Sequence, residues 1–323
     1  MFIKYAARRV LVSIPVLFGV TVVAFGLRHF AAGNFTPGID LNPNLTPADV
    51  SNIRANLGLD QPLYIQYWQW IIGILHGDFG RSLLDGSRVT SHILDRLPNT
   101  FELTITAILI GVLMSIPLGV TGALRRGSKL DHFLTAISVA GVSIPQFWLG
   151  LLLILFFSVK FHDWGLPFLP SGGAYEAYQG GDFLDRLAHL IMPATVLAFV
   201  YLAIWSRFVR SSTIEVMAQD YVRTARAKGM SERRVVYLHA LRNSVAPLVT
   251  LIGLELPGLV AGGAIVEIVF GWPGVGRLAL ERALQYDFTT VMGITTFAAI
   301  LVVAGNLLAD VLYAALDPRI RYA

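Results

Sequence analysis

The chain has 323 residues, of which 55% are hydrophobic and 14% charged, with a mean hydropathy of +0.63. That balance excludes a soluble globular protein and indicates an integral membrane protein. A net charge of +4 and a pI near 9.4 do not argue for nucleic acid, because the bases gather in short segments flanking apolar runs, and the absence of cysteine excludes disulfides, thiolate metal sites and cysteine nucleophiles.

Crossing a hydrocarbon core of about 30 Å takes roughly 20 apolar residues in a helix. Only a helix or a closed barrel satisfies its own backbone there. Six runs qualify, at 10–27, 103–124, 133–159, 187–206, 244–266 and 288–309, and none alternates as a barrel strand would. The predicted fold class is therefore an all-α membrane protein with six transmembrane helices. Pro15, Pro117, Pro145, Pro193, Pro247 and Pro257 fall in the first five runs, where proline kinks a helix and frees a carbonyl; packing and hinging both fit.

Run one follows Lys4, Arg8 and Arg9 and ends before Arg28-His29. It is long for a signal peptide, so the expectation is an uncleaved first helix. Residues 31–100 are polar and turn-rich. Thr46-Pro47-Ala48-Asp49 reads as an N-cap, a proline at the first helical position and an acid at the third, with Gly58 as a stop. After Asp60-Gln61-Pro62, residues Leu63, Tyr67, Trp70, Ile71 and Ile74 recur at helical spacing beside Trp68. This predicts a second helix, read as a lid on the ends of the spans rather than a substrate-binding module. Asp78-Phe79-Gly80 matches a kinase tripeptide, but no glycine-rich phosphate loop accompanies it, so the match is read as coincidence.

The loop 207–243 is dense in bases. If 217–228 is helical, Gln219, Asp220, Arg223 and Arg226 share one wet arc of roughly 120°, while Tyr221, Val222 and Ala225 project opposite. Gly229 ends that helix and Ser231-Glu232 caps the next, giving helix, turn, helix. A loop serving only as a charge anchor needs no small residues beside a glycine turn. Thr224, Ala225 and Ala227 stand there, which predicts a docking surface for a partner protein.

In run five Glu255 interrupts an uncharged stretch. An ionised acid at membrane depth normally faces a protein interior or a wet cavity, so Glu255 either lines a path or is a protonated or hydrogen-bonded packing residue. Gly258 and Gly262, four apart, are candidates for close helix packing. Asn306 is a weaker path candidate. No histidine pair has metal-ligand spacing, and no nucleophile, base and orienter can be assembled, so neither a metal site nor a catalytic residue is expected. No Gly-Lys dipeptide occurs, hence no phosphate-cradling P-loop. A secondary transporter, which needs ion-coupling acids and inverted repeats, and a membrane enzyme are the competing readings.

Placing both termini on the inner side gives the inner segments 16 of the 25 bases and 6 of the 21 acids, while the outer segments hold 9 bases and 14 acids. The asymmetry predicts N-in, C-in.

Arg223-Thr224-Ala225-Arg226-Ala227-Lys228-Gly229 resembles the cytoplasmic loop of ABC-importer permeases, whose general form is Glu-Ala-Ala followed by a glycine four residues on. Similar matches to the peptide-importer branch are Asn56-Leu57-Gly58-Leu59-Asp60 with Pro62-Leu63-Tyr64, Arg96-Leu97-Pro98-Asn99-Thr100, Ser143-Ile144-Pro145-Gln146-Phe147-Trp148, Glu267-Ile268-Val269-Phe270-Gly271-Trp272-Pro273-Gly274, and Leu316-Asp317-Pro318-Arg319-Ile320-Arg321. They span nearly the whole chain. The resemblance is to the B-type permease subunit of dipeptide/oligopeptide (peptide/nickel) importers, and it departs from the general motif in Arg223, in Leu241-Arg242, and in Glu255 where relatives carry a neutral polar residue.

This resemblance implies a type I permease with an N-terminal segment and first span at 1–30, a helical extracytoplasmic insertion at 31–100, and a core at 101–323 that contains the coupling loop 207–243. It implies coupling to ATPase subunits through 217–238, by Asp220, Tyr221, Arg223, Thr224, Ala225, Arg226, Ala227, Lys228 and Gly229. The implied partners are a second homologous permease, two ATPase subunits or domains, an extracytoplasmic solute-binding protein and membrane lipid, with no nucleic acid. No cofactor is implied on this chain, ATP and Mg belonging to the ATPases.

Overall fold

The structure, a computed structural model, describes residues 2–32, 46–56, 60–175, 181–255, 258 and 263–316. Among these the regular structure is helical, apart from one isolated bridge between Arg81 and Arg88. Six stretches are long and apolar enough to cross a membrane: Arg8–Phe30, Val89–Leu124, Gln146–Asp163, Phe183–Met217, Glu232–Glu255 and Phe288–Ala309. The chain divides into two compact units, Met1–Thr100 with Pro273–Ala323, and Phe101–Trp272.

In the first unit α1 (Phe2–Ala32) packs along α12 (Phe288–Leu316), and α11 (Val275–Leu284) packs on α12. Between them in sequence come α2 (Pro47–Asn56) and α3 (Leu63–Leu75). Thr46 and Asp49 cap α2 reciprocally: the Asp49 N–H donates to Thr46 Oγ1 (3.3 Å), while the Thr46 N–H donates to Asp49 Oδ2 (2.9 Å). Gly58, the expected stop, lies outside the described residues. On α3, Tyr67 and Trp70 pack against Ala24, Phe25 and Met292, and Thr21 and Tyr67 share a hydroxyl hydrogen bond of 2.8 Å. The kinase-like tripeptide is a structural turn, with Phe79 buried among Val89, Ile93, Val275, Leu278 and Ile294 and the Gly80 N–H donating to Asp78 Oδ1. Asn99 Nδ2 donates to the Pro273 carbonyl and the Val275 N–H to Thr100 Oγ1, both at 2.9 Å, so the start of α4 (Val89–Leu124) is tied to the segment before α11.

The second unit takes the rest of α4, then α5 (Lys129–Ser143), α6 (Gln146–Leu153), α7 (Phe183–Met217), α8 (Asp220–Ala227), α9 (Leu241–Glu255) and α10 (Ala264–Val269). Helix α6 continues through a π-helical stretch, Ile154–Lys160, into Phe161–Asp163. Two expected spans differ. The run 133–159 is not one helix: Pro145 has no N–H and excludes the α region at the residue before it, so Ile144 turns extended (φ −79°, ψ 124°) between α5 and α6. In run 244–266, α9 is described to Glu255 and Gly263 stands outside helix at the start of the separate short α10, while 256, 257 and 259–262, Pro257 among them, lie outside the described residues. The 35 residues of α7 reach about 52 Å at 1.5 Å per residue, well past a bilayer core. Helix α7 is the hub, contacting α5, α6, α9 and α10. Glycine lets α4 and α7 approach: a Cβ at Gly119 would sit 2.7 Å from both the Ser206 carbonyl oxygen and Val209 Cβ.

Candidate functional site

Two residues, Ala218 and Gln219, separate the end of α7 from α8. Asp220 stands in the first turn of α8 and Arg226 in the last, each at the end of the helix dipole that favours its charge. The helix closes on a Schellman turn. Gly229 adopts φ +80°, its N–H donates to the Arg226 carbonyl (2.9 Å), and the Met230 N–H reaches back to the Ala225 carbonyl (3.3 Å). Glu232–Arg234 follows at once and continues through the π-helical Val235–Ala240 into α9. Helix, turn, helix is thus present, although α8 begins at Asp220 rather than 217 and Ser231 makes no side-chain cap bond.

Val222, Ala225 and Val235 are buried together, with Met217 and Met230 against them. Burying one such valine contributes about 1.5–3 kcal/mol, enough to seat a two-turn helix that has little stability alone. Tyr221 was expected on this inner face but is 41% exposed, its hydroxyl accepting from Asn243 Nδ2 at 2.9 Å. Among the described residues the patch that covers this face is made by Val235, Met217 and Met230, and Tyr221 falls outside the buried stripe. Ala225 faces inward, which leaves Thr224 and Ala227 as the small residues on the outer surface.

Asp220, Arg223, Thr224, Arg226, Ala227, Lys228 and Gly229 are exposed. Arg226 is bound twice to Glu232 (2.7 and 3.1 Å), whereas Arg223 meets Asp220 only at 3.7 Å. The least tightly held positive charge is therefore carried by Arg223 and Lys228, with Arg233 and Arg234 exposed on the next turn. Behind the elbow, Arg210 of α7 grips buried Asp131 through two bonds (2.6 and 2.7 Å), and Asp131 Oδ2 also accepts the Gly127 N–H (2.9 Å). The Arg210 hydrogen bonds, then the Gly127 N–H, hold the Asp131 carboxyl at about 2. This clamp fixes the turn between α4 and α5 to α7. Sequence reading counted both residues only as loop charge, and no local pattern links positions 79 apart.

Glu255 is the last described residue of α9, half-buried. Among the described residues a Cβ at Gly258 would meet Glu255 Oε2, at 3.7 Å, and Gly262 lies outside them. Asn306 is exposed on α12, in the other unit from Glu255. Sequence reasoning missed a charged cluster in the second unit. Arg186 pairs with Glu102 and lies 4.5 Å from the Trp272 ring centroid, and His189 stands 3.1 Å from Asp185. Glu267, read from the sequence as an outer-segment acid, is fully buried on α10. Among the described residues no group of three or more histidine and carboxylate side chains is placed to hold a metal.

Residues 115–322 match the family described as binding-protein-dependent transport system inner membrane component, and residues 2–104 match the N-terminal region of such components. The chain is 41% identical over 319 residues to the oligopeptide transport system permease protein AppB of Bacillus subtilis (strain 168), covering 98% of this chain and 99% of that one. It is 35% identical to the dipeptide transport system permease protein DppB of Escherichia coli (strain K12), covering 99% of each chain. A glutathione transport system permease protein, GsiC of Salmonella paratyphi A, is 37% identical, again over 99% of each chain. A solved structure of the MetNI methionine ABC transporter, inward facing, superposes with a TM-score of 0.55 at 20% identity over 70% of this chain and 96% of that one, a likeness of fold. The chain belongs to the binding-protein-dependent transport system inner membrane components, and is a multi-pass inner-membrane permease subunit of an ABC importer.

Proposed function

We propose that this permease imports peptides or closely related small ligands, forming half of the translocation path with a second permease, and that its elbow, Asp220–Gly229, seats in an ATPase subunit. The termini face the cytoplasm, an extracytoplasmic solute-binding protein delivers the cargo, and the chain itself hydrolyses no ATP. The observation that supports this best is the build of the elbow: a short helix pinned by Val222 and Ala225 on one face, presenting Arg223, Thr224, Ala227 and Lys228 on the other. Only two residues join it to α7, so displacement of the elbow is passed to a helix that contacts α5, α6, α9 and α10. Carrying a two-state gate from mostly one side to mostly the other takes about 5.5 kcal/mol of differential binding. A single surface ion pair supplies about 0–1 kcal/mol, so the energy has to come from ATP binding in the partner. The names of the relatives favour peptide cargo, and the inner excess of bases favours N-in, C-in.

The test is uptake and ATP hydrolysis by the assembled transporter in vesicles. Reversing the charge of Arg223 together with Gly229→Pro is expected to lower uptake at least tenfold while the subunit still inserts. Unchanged uptake overturns the docking role of the elbow, and transport by the purified chain without an ATPase overturns the whole reading.

A further inference from the structure

The unit Met1–Thr100 with Pro273–Ala323 contains a cavity of about 290 Å³, room for about ten waters at ~30 Å³ each. Arg28 lines it from the far end of α1 and is half-buried; among the described residues it has no hydrogen bond or ion pair. Arg81 lines it too, donating to the Gly86 carbonyl at 3.1 Å and, among the described residues, pairing with no carboxylate. The acid in the wall, Asp78, accepts the Gly80 N–H on Oδ1 at 2.9 Å and keeps its charge, so the lining holds two guanidiniums against one carboxylate. Gln66, Gln69 and Thr289 also line the polar wall, together with Trp70, whose buried indole N–H has no acceptor among the described residues. Phe25 and Met292 supply an apolar side.

A half-buried guanidinium with no direct ion pair at the end of a membrane span is costly, and an anion that balances the excess positive charge of the lining relieves that cost. The fork of an arginine matches phosphate oxygens in particular. Arg28 lies two residues inside the end of the span Arg8–Phe30, which is headgroup depth, and Val23, Leu27, Phe30 and Trp68 are exposed apolar groups nearby in sequence on α1 and α3. A soluble anion would use the arginines alone, whereas a lipid uses the arginines and the apolar flank. We propose that this cavity binds the phosphate headgroup of an anionic phospholipid, with Arg28 and Arg81 on the phosphate and the acyl chains along the exposed side of α1. The site shares no residue with the elbow, and its occupancy does not depend on the cargo.

Native mass spectrometry of the assembled transporter, with phosphatidylglycerol, phosphatidylcholine or inorganic phosphate added, reads this directly. Wild type is expected to retain phosphatidylglycerol at least tenfold over phosphatidylcholine. R28Q/R81Q is expected to lose that preference, and R28K, which keeps the charge without the fork, to retain part of it and to guard against misfolding of the double variant. Equal retention of the two lipids, an undiminished preference in R28Q/R81Q, or displacement of phosphatidylglycerol by inorganic phosphate at equal concentration overturns the lipid assignment.

Discussion

The elbow Asp220–Gly229 and the Arg186 cluster use the same residue types in opposite ways. In the elbow, arginines stand in water and their partners are three to six residues away; in the cluster, Arg186 is mostly shielded and its partner Glu102 is 84 residues away. Exposed charge can be exchanged for a partner's charge at little cost to the fold. Shielded charge cannot, because removing one member leaves the other partly desolvated and without its partner. One region leaves its charges open to a partner, as the proposed docking role requires, and the other ties α4 to α7.

The comparison breaks first at Arg186. Arg186→Ala leaves Glu102 without its partner and removes the cation from the Trp272 face, and is expected to cost about 2 kcal/mol, less than the ~3–5 kcal/mol of a fully buried pair because both groups keep some contact with solvent. Thermal unfolding of the purified subunit in detergent measures it, and a change within experimental error would remove the structural role assigned to the cluster.

A second break is in the acid response of Asp131. Its folded pKa, about 2, lies below its ordinary 3.8, so the stabilisation is fully present above about 4 and is lost as the pH falls towards 2. Asp131→Asn should flatten the loss of stability over that window while lowering stability at neutral pH. A wild-type acid profile shared by the variant would show that the Arg210 clamp contributes nothing.

The smallest effect belongs to the elbow. Gly229→Ala meets no atom within 4 Å, so its cost is the left-handed backbone alone, about 1 kcal/mol. Hydrogen exchange should quicken at Gly229 and Met230, whose N–H groups close the turn, and stay unchanged in α5 and α6. Faster exchange throughout the second unit would mean that the elbow is part of the fold rather than an appendage to it.

The elbow was legible because its determinants are local. Val222 and Ala225 lie on one face by helical spacing, and Gly229 marks the left-handed turn, so a window of about a dozen residues contains the information. Tyr221 was misplaced for the opposite reason: its exposure depends on how wide a patch Met217, Met230 and Val235 make, which spacing within α8 does not encode. The break at Pro145 was also written locally, in a proline and the residue before it, yet a continuous apolar run concealed it. Glu102, Asp131, Arg186, Arg210 and Glu267 were read only as segment charge, since charge in a loop and charge in a shielded cluster look identical until the helices are packed.

By itself the sequence determined the membrane class, six apolar stretches, the cap at Thr46 and Asp49, and the helix, turn, helix of the elbow, because hydrophobic transfer and backbone preference act on the residue and its near neighbours. Tertiary structure alone decided which charges are shielded, that Gly119 carries the close approach of α4 to α7, and that Arg28 borders a cavity with Arg81 and Trp70. Those depend on distances between segments remote in the chain, set by the packing of whole helix faces.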